Sequence, residues 1–354
     1  MVKLMKKTKI FLLMSSMLLC LTSCSLIMNR TTSEPYYTKT SDATYIDSKT
    51  EYSIPDSNNP DGYLVTFDLG EGETYSNTTN YQGYVVAPEN PTKSFANFEG
   101  WYYNNTLFDF NTKINYPITL TAKWSYDYAN LVNYIYRNTI KACIKVETIC
   151  TKGSIITRAS SDSIGSGVII SEQTVNQKTY YYALTNNHVV YFDRNQYDSV
   201  SYQVYDAYSN TYSSRYVKLL YANADYDLAL IRFEKDTELK VIDFAKTSKT
   251  TNVFTLGNPK SLTNAISFGE YTSTKQFTPK EETADKSNVN FDVIIHSAFL
   301  DNGSSGGGLF NFNLELVGIN FASSVTESTN EFIRGYTIPI EKVREFIDLY
   351  NSIA

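Results

Sequence analysis

The sequence predicts a mainly β protein on three observations. Tyrosine is abundant, at 30 of 354 residues; Tyr, Thr, Ile and Val recur in short runs of the kind that fit a pleated, half-buried surface; and Asn, Asp, Gly and Ser interrupt those runs. A hydrophobic share of 42% is enough for packed cores, and the length exceeds one typical domain. With 31 Lys and Arg against 37 Asp and Glu, the net charge is -6 and the basic residues are dispersed. That leaves no broad positive field for a phosphate backbone, so no nucleic-acid partner is expected.

The elements follow in chain order. Lys3, Lys6, Lys7 and Lys9 precede an apolar run of 12 residues, Ile10 to Leu21. That is short of the roughly 20 residues that span a bilayer, so residues 1–23 read as an export signal. Leu21-Thr22-Ser23-Cys24 resembles the bacterial lipobox, which implies acylation of Cys24 and attachment to the outer face of the cytoplasmic membrane. Ordinary secretion, or modification at Cys20, are the alternatives. More than one chain is needed for stable anchoring. Residues 24–60, rich in Thr, Ser, Tyr, Asn and Asp, read as a flexible tether.

Within 61–125 four strand-like segments follow: Tyr63 to Asp68, Tyr84 to Pro88, Phe98 to Tyr102 and Ile118 to Trp124. Phe98-Glu99-Gly100-Trp101-Tyr102 and the closing Ala122-Lys123-Trp124 resemble the internalin B-type (Listeria-Bacteroides) repeat. The resemblance implies a small β-rich, β-grasp-like module and a cell-surface partner. Both tryptophans, Trp101 and Trp124, are expected in its core.

Residues 127–354 form the last unit. Ile140 to Ile149, Gly167 to Ile170, Tyr180 to Leu184, Leu228 to Phe233, Val253 to Leu256 and Leu316 to Phe321 read as strands. Val343, Phe346, Ile347 and Tyr350 have helical spacing, predicting an amphipathic closing helix over Ile340 to Tyr350. Cys143 and Cys150 on one continuous strand would lie about 23 Å apart, beyond disulfide reach. Neither a Cys-x-x-Cys spacing nor a nearby histidine supports a metal site, so both read as small buried thiols and no metal or cofactor is expected.

Three short motifs carry the chemistry: Leu184-Thr185-Asn186-Asn187-His188-Val189-Val190, Tyr226-Asp227-Leu228-Ala229-Leu230 and Gly303-Ser304-Ser305-Gly306-Gly307-Gly308-Leu309. A serine hydroxyl is a poor nucleophile near neutral pH; an imidazole must take its proton, and an acid must fix the imidazole tautomer. Only two histidines exist, His188 and His296. His296, on the stretch Val293-Ile294-Ile295-His296, reads as a hydrogen-bonded strand residue. Asp225 and Asp227 would share one strand face, so spacing alone does not separate them.

Order and surroundings resemble the trypsin-like endopeptidases, most closely the HtrA or DegP branch. The matching surroundings are Gly165-Ser166-Gly167, Leu256-Gly257-Asn258-Pro259, Ile266-Ser267-Phe268-Gly269, Leu316-Val317-Gly318-Ile319-Asn320 and Gly335-Tyr336-Thr337-Ile338-Pro339. The resemblance implies a chymotrypsin-like double β-barrel, with His188 as base, Asp227 as orienting acid, Ser305 as nucleophile and the amides of Gly303 and Ser305 as oxyanion hole. Substrates would be proteins or peptides. Phe299, Ile319, Asn320, Phe321 and Ala322 would form the pocket, which points away from Lys, Arg or Glu and toward apolar or small side chains at the cleavage point.

Asp301, Ser304 and Gly308 depart from the family pattern. Ser304 stands where the secreted trypsins keep an aspartate that grips a newly cut N-terminus, so activation by such a cut is not expected. The sequence ends after the closing helix, so control by a PDZ domain is not expected either. The competing reading is a surface adhesion protein with a protease-like scaffold, since fold alone does not establish activity.

Overall fold

Val65 and Phe67, and opposite them Ile118, Leu120 and Ala122, alternate with exposed or half-exposed neighbours, so the two strands that carry them each bury one face. A computed structural model describes residues 62–353, apart from 154–158, 208–214, 260–263 and 280. The export signal, Cys24 and the tether lie outside the described residues.

The N-terminal module contains β1 (Leu64–Gly70), β2 (Glu73–Thr78), β3 (Ala96–Tyr103), β4 (Thr106–Leu107) and β5 (Ile118–Tyr126), in the order β2-β1-β5-β3-β4. β1 and β5 are parallel, and the other pairs are antiparallel. Trp101 is buried edge-on against Phe67 and Phe98, and half-buried Trp124 donates its indole N–H to Leu69 O at 3.2 Å. Two expectations change. The segment Tyr84 to Pro88 is not a strand, although Val85 is buried. β2, with little apolar pattern, is held by its ladder to β1 and by Tyr75 stacking on Phe67 at 4.9 Å.

Helix α1 (Tyr128–Arg137) starts where Asp127 accepts the Asn130 N–H at 3.0 Å, and it buries Leu131 and Ile135 one turn apart. The chain then builds a six-stranded antiparallel sheet from β6 (Cys143–Lys152), β7 (Ala159–Val175), β8 (Lys178–Thr185), β9 (Ser199–Asp206), β10 (Arg215–Asn223) and β11 (Leu228–Glu234). A single helical turn, α2 (Asn187–Val190), follows β8. Val146, Ile169, Ala183, Ile231 and Phe233 pack on the sheet's inner face. Cys143 and Cys150 lie on β6 as buried thiols outside any disulfide, and burial pushes the Cys143 thiol up to about 12, which makes it a poor nucleophile.

The second half is a closed barrel of β12 (Asn252–Gly257), β13 (Ala265–Gln276), β14 (Asp292–His296), β15 (Gly308–Asn311), β16 (Leu316–Val325) and β17 (Phe332–Pro339). Phe254 and Phe310 stack in its core beside Leu316, Ile319 and Ile338. Helix α3 (Ile340–Ile353) runs three residues past the expected Tyr350 and lays Phe346 against Tyr221 of β10 at 5.1 Å. The architecture is therefore mainly β, with barrel-like sheets, a β-rich module and a closing helix.

Phe312 joins the module to the barrel: its ring meets Tyr126 and Tyr128 on one side and Phe254 and Phe268 on the other. It is 1% exposed. Phe312→Ala should cost about 3–5 kcal/mol of unfolding free energy in urea titration followed by circular dichroism.

Candidate active site

His188 sits on α2, the single turn that ends β8, and both oxygens of Asp227 are spent on it. Oδ1 accepts the His188 backbone N–H at 2.9 Å and Oδ2 meets ring Nδ1 at 2.7 Å. A buried carboxylate only accepts, so Nδ1 carries the hydrogen and Nε2 keeps its lone pair. Asp227 is 0% exposed while the His188 side chain is 26% exposed, so the imidazole bridges a buried acid and the open face. Asp227 does not stand on a strand face, as the spacing suggested. It closes the turn before β11 with φ of 47°, and its own carbonyl accepts from Asn186 Nδ2 at 2.8 Å. Asp225, the alternative, is turned instead toward Asn288, whose Nδ2 donates to it at 2.7 Å.

Ser305 occupies the turn between β14 and β15, and Ser166 of β7 holds that turn. Ser166 N donates to Ser305 O at 2.7 Å and Ser166 Oγ donates to Gly303 O at 2.8 Å, while the same Oγ accepts from Asn258 N at 2.8 Å. Thr185 Oγ1 donates to Ser166 O at 2.7 Å. A Cβ on Gly165 would lie 2.6 Å from Val189 Cγ2 and 2.9 Å from Ser305 O, so the histidine turn and the serine turn meet across this glycine. Gly303 adopts φ of 96°, a conformation closed to most side chains. Among the described residues neither the Gly303 nor the Ser305 amide is given to an acceptor. Two unpaired donors flanking a serine are what a developing oxyanion requires.

The departures have local causes. Ser304 Oγ accepts from Asp301 N at 3.1 Å while Ser304 N donates to Asp301 O at 2.9 Å, which closes the turn from within. A Cβ on Gly308 would collide with the Phe310 ring. The structural role of Ser166, Thr185 and Asn258 escaped the sequence reading, although the glycines on either side of Ser166 were its signal.

A cavity of about 110 Å³ adjoins the turn, lined by Thr255, Ala265, Ile266, Phe299, Ser304 and Asn320 among others. Of the five expected pocket residues, the structure brings Phe299 and Asn320 to this cavity and not the other three. Ile319 is 0% exposed in the barrel core, Phe321 packs against Phe277 at 4.9 Å, and Ala322 lies beside the same core. Alternation puts Ile319 and Phe321 on the face opposite Asn320, and a register shift between Asn320 and Ala322 interrupts the pattern before Ala322. His296 is buried, and its Nε2 meets Thr337 Oγ1 at 3.0 Å. Among the described residues no His, Cys, Asp or Glu cluster is arranged for a metal.

Residues 165–319 match the model of the trypsin-like peptidase domain, and residues 63–123 match that of the Listeria-Bacteroides repeat domain. The chain is 32% identical over 193 residues to Serine protease HTRA4 of Mus musculus, covering 54% of this chain and 35% of the relative. It is 30% identical over 206 residues to Serine protease Do-like HtrA of Bacillus subtilis, covering 55% and 42%. It is 30% identical over 190 residues to Periplasmic pH-dependent serine endoprotease DegQ of Escherichia coli, covering 52% and 36%. The chain thus spans between 35% and 42% of the length of these relatives.

Burial pushes His296 down to about 4 from the ordinary 6.5. The unfolded chain therefore takes up this proton first, and the stability present above pH 6.5 declines as pH falls toward 4. His296→Gln removes that component, so its loss of unfolding free energy between about pH 7 and pH 4.5 should be smaller than wild type by about 2 kcal/mol. Urea titrations at the two pH values measure it.

Proposed function

We propose that this chain is an exported serine endopeptidase that cleaves peptide bonds through an acyl-enzyme on Ser305. The observation that carries the reading is the His188–Asp227 pair beside a turn with two unpaired amides. In this reading Ser305 Oγ attacks the carbonyl carbon of the scissile bond, and its proton passes to His188 Nε2. Asp227 holds the ring in the required tautomer and stabilises the imidazolium. The amides of Gly303 and Ser305 receive the oxyanion. His188 then returns the proton to the leaving amine, and water repeats the sequence to free the acid. The similarity to HtrA-type serine proteases supports the activity; their printed names suggest protein substrates, and the periplasmic DegQ suggests a place outside the cytoplasm.

The finer parts of the proposal are lipid anchoring at Cys24, residues 24–60 as spacer, 61–125 as the repeat module meeting a cell-surface partner, and 127–354 as the protease unit. The close packing of module and barrel through Phe312 favours a module that moves with the protease rather than on a separate tether.

Ser305→Ala and His188→Ala should each abolish cleavage of casein, and the double variant should lose no more than either alone, because the two act as a unit. Asp227→Asn should fold but lower kcat by about 10⁴, through the wrong tautomer. Full casein cleavage by Ser305→Ala would sink the assignment. Gly303→Ala should lower kcat by about 10²–10³ with little change in KM, since the strained backbone would turn one oxyanion donor away.

A further inference from the structure

His296 at the end of β14, Thr337 on β17 and Asn320 on β16 form a polar line across three neighbouring strands of the closed barrel, and the chemistry above uses none of them. In the strand register Asn320 faces Thr337, and His296 faces Gly335. All three side chains are buried, at most 1% exposed. Asn320 Nδ2 donates to Gly308 O at 3.2 Å. A carbonyl only accepts, so this contact fixes which end of the amide is nitrogen and turns its oxygen toward Thr337. Thr337 Oγ1 gives its one proton to Asn320 Oδ1 at 2.6 Å, leaving only lone pairs for His296 Nε2 at 3.0 Å. His296 must therefore carry its hydrogen on Nε2, and burial keeps the ring neutral near pH 7. Gly335 makes the room, since a Cβ there would collide with the His296 ring.

Every donor in this line is committed except one. The second hydrogen on Asn320 Nδ2 has no acceptor among the described residues, and Asn320 lies on the wall of the cavity that adjoins the Ser305 turn through Ser304. None of the side chains lining that cavity is charged. A Lys or Arg side chain would present donor to donor, and a carboxylate would be buried without a counter-charge. An uncharged amide or hydroxyl meets neither obstacle.

We propose that Asn320 is a specificity-determining residue, selecting an uncharged side chain with a hydrogen-bond acceptor (Gln, Asn, Thr or Ser) on the residue whose carbonyl is attacked, and that His296 is a positioning residue acting through Thr337 to hold the Asn320 amide in that orientation. The inference rests on the protease reading and narrows the apolar or small preference expected from the sequence. Without the His296 donor the Thr337 hydroxyl is free to rotate, and the Asn320 amide loses its preferred face.

The test uses the full chain and peptide substrates differing only at that residue, in the near-isosteric pairs Thr against Val and Asn against Leu. Wild type should favour the acceptor member by about tenfold in kcat/KM, the size of one net hydrogen bond. Thr337→Val and His296→Leu should bring the ratio close to one while retaining fluorophosphonate labelling. Thr337→Ser and His296→Gln, which replace the lost donors, should restore it. A purely structural role would shift thermal midpoints without moving the ratio. If His296→Leu does not fold, the Thr337→Val and Thr337→Ser pair decides. A wild-type ratio near or below one, or a ratio unchanged in Thr337→Val, overturns this inference alone. No labelling and no cleavage by wild type overturn the protease reading and this inference together.

Discussion

The site depends on one small side chain. Ser166 reaches from the first sheet to hold Gly303 and Ser305 by their carbonyls, and it in turn is held by Asn258 of the barrel and Thr185 of the histidine strand. With both carbonyls bound on the sheet side, the amides of Gly303 and Ser305 have no acceptor among the described residues. Each buried polar atom stranded by loss of the Ser166 hydroxyl would cost about 1–3 kcal/mol, so the arrangement is far stiffer than an ordinary Gly-Ser loop. The flanking Gly165 has no room for a Cβ between Val189 and Ser305 O, which lets the strand and the turn come so close.

The other half of the site follows from the same sheet. β8 and β11 are neighbours, so the turn that ends one and the turn that begins the other bring His188 and Asp227 together. Asp227 takes a left-handed backbone there, a conformation Asp tolerates better than most residues. The pair belongs to the first sheet and Ser305 to the barrel, with Ser166 and Gly165 at the seam.

The fold class and most strands were legible because their apolar runs are local, as in Leu228–Glu234 and Leu316–Val325. The histidine and serine motifs were legible for the same reason. What escaped depends on partners distant in sequence. β2 is polar and exists through its ladder to β1, and α1 buries only Leu131 and Ile135 in a Tyr- and Asn-rich segment. Residues 319 to 322 read as a single pocket wall only if they share a face; alternation sends Ile319 and Phe321 inward, a register shift follows Asn320, and Asn320 alone of the four lines the cavity. His296 reads as a hydrogen-bonded strand residue, and the structure places it at the end of β14 with Nε2 on Thr337. Its line to Asn320 crosses three strands that no sequence spacing connects.

Catalysis by this site requires Ser305 to be the activated nucleophile. Native protein treated with a fluorophosphonate and mapped by peptide mass spectrometry should carry one adduct, on Ser305 Oγ, and that adduct should disappear when the protein is unfolded before treatment. An adduct on any other residue, or none on the native protein, would contradict it.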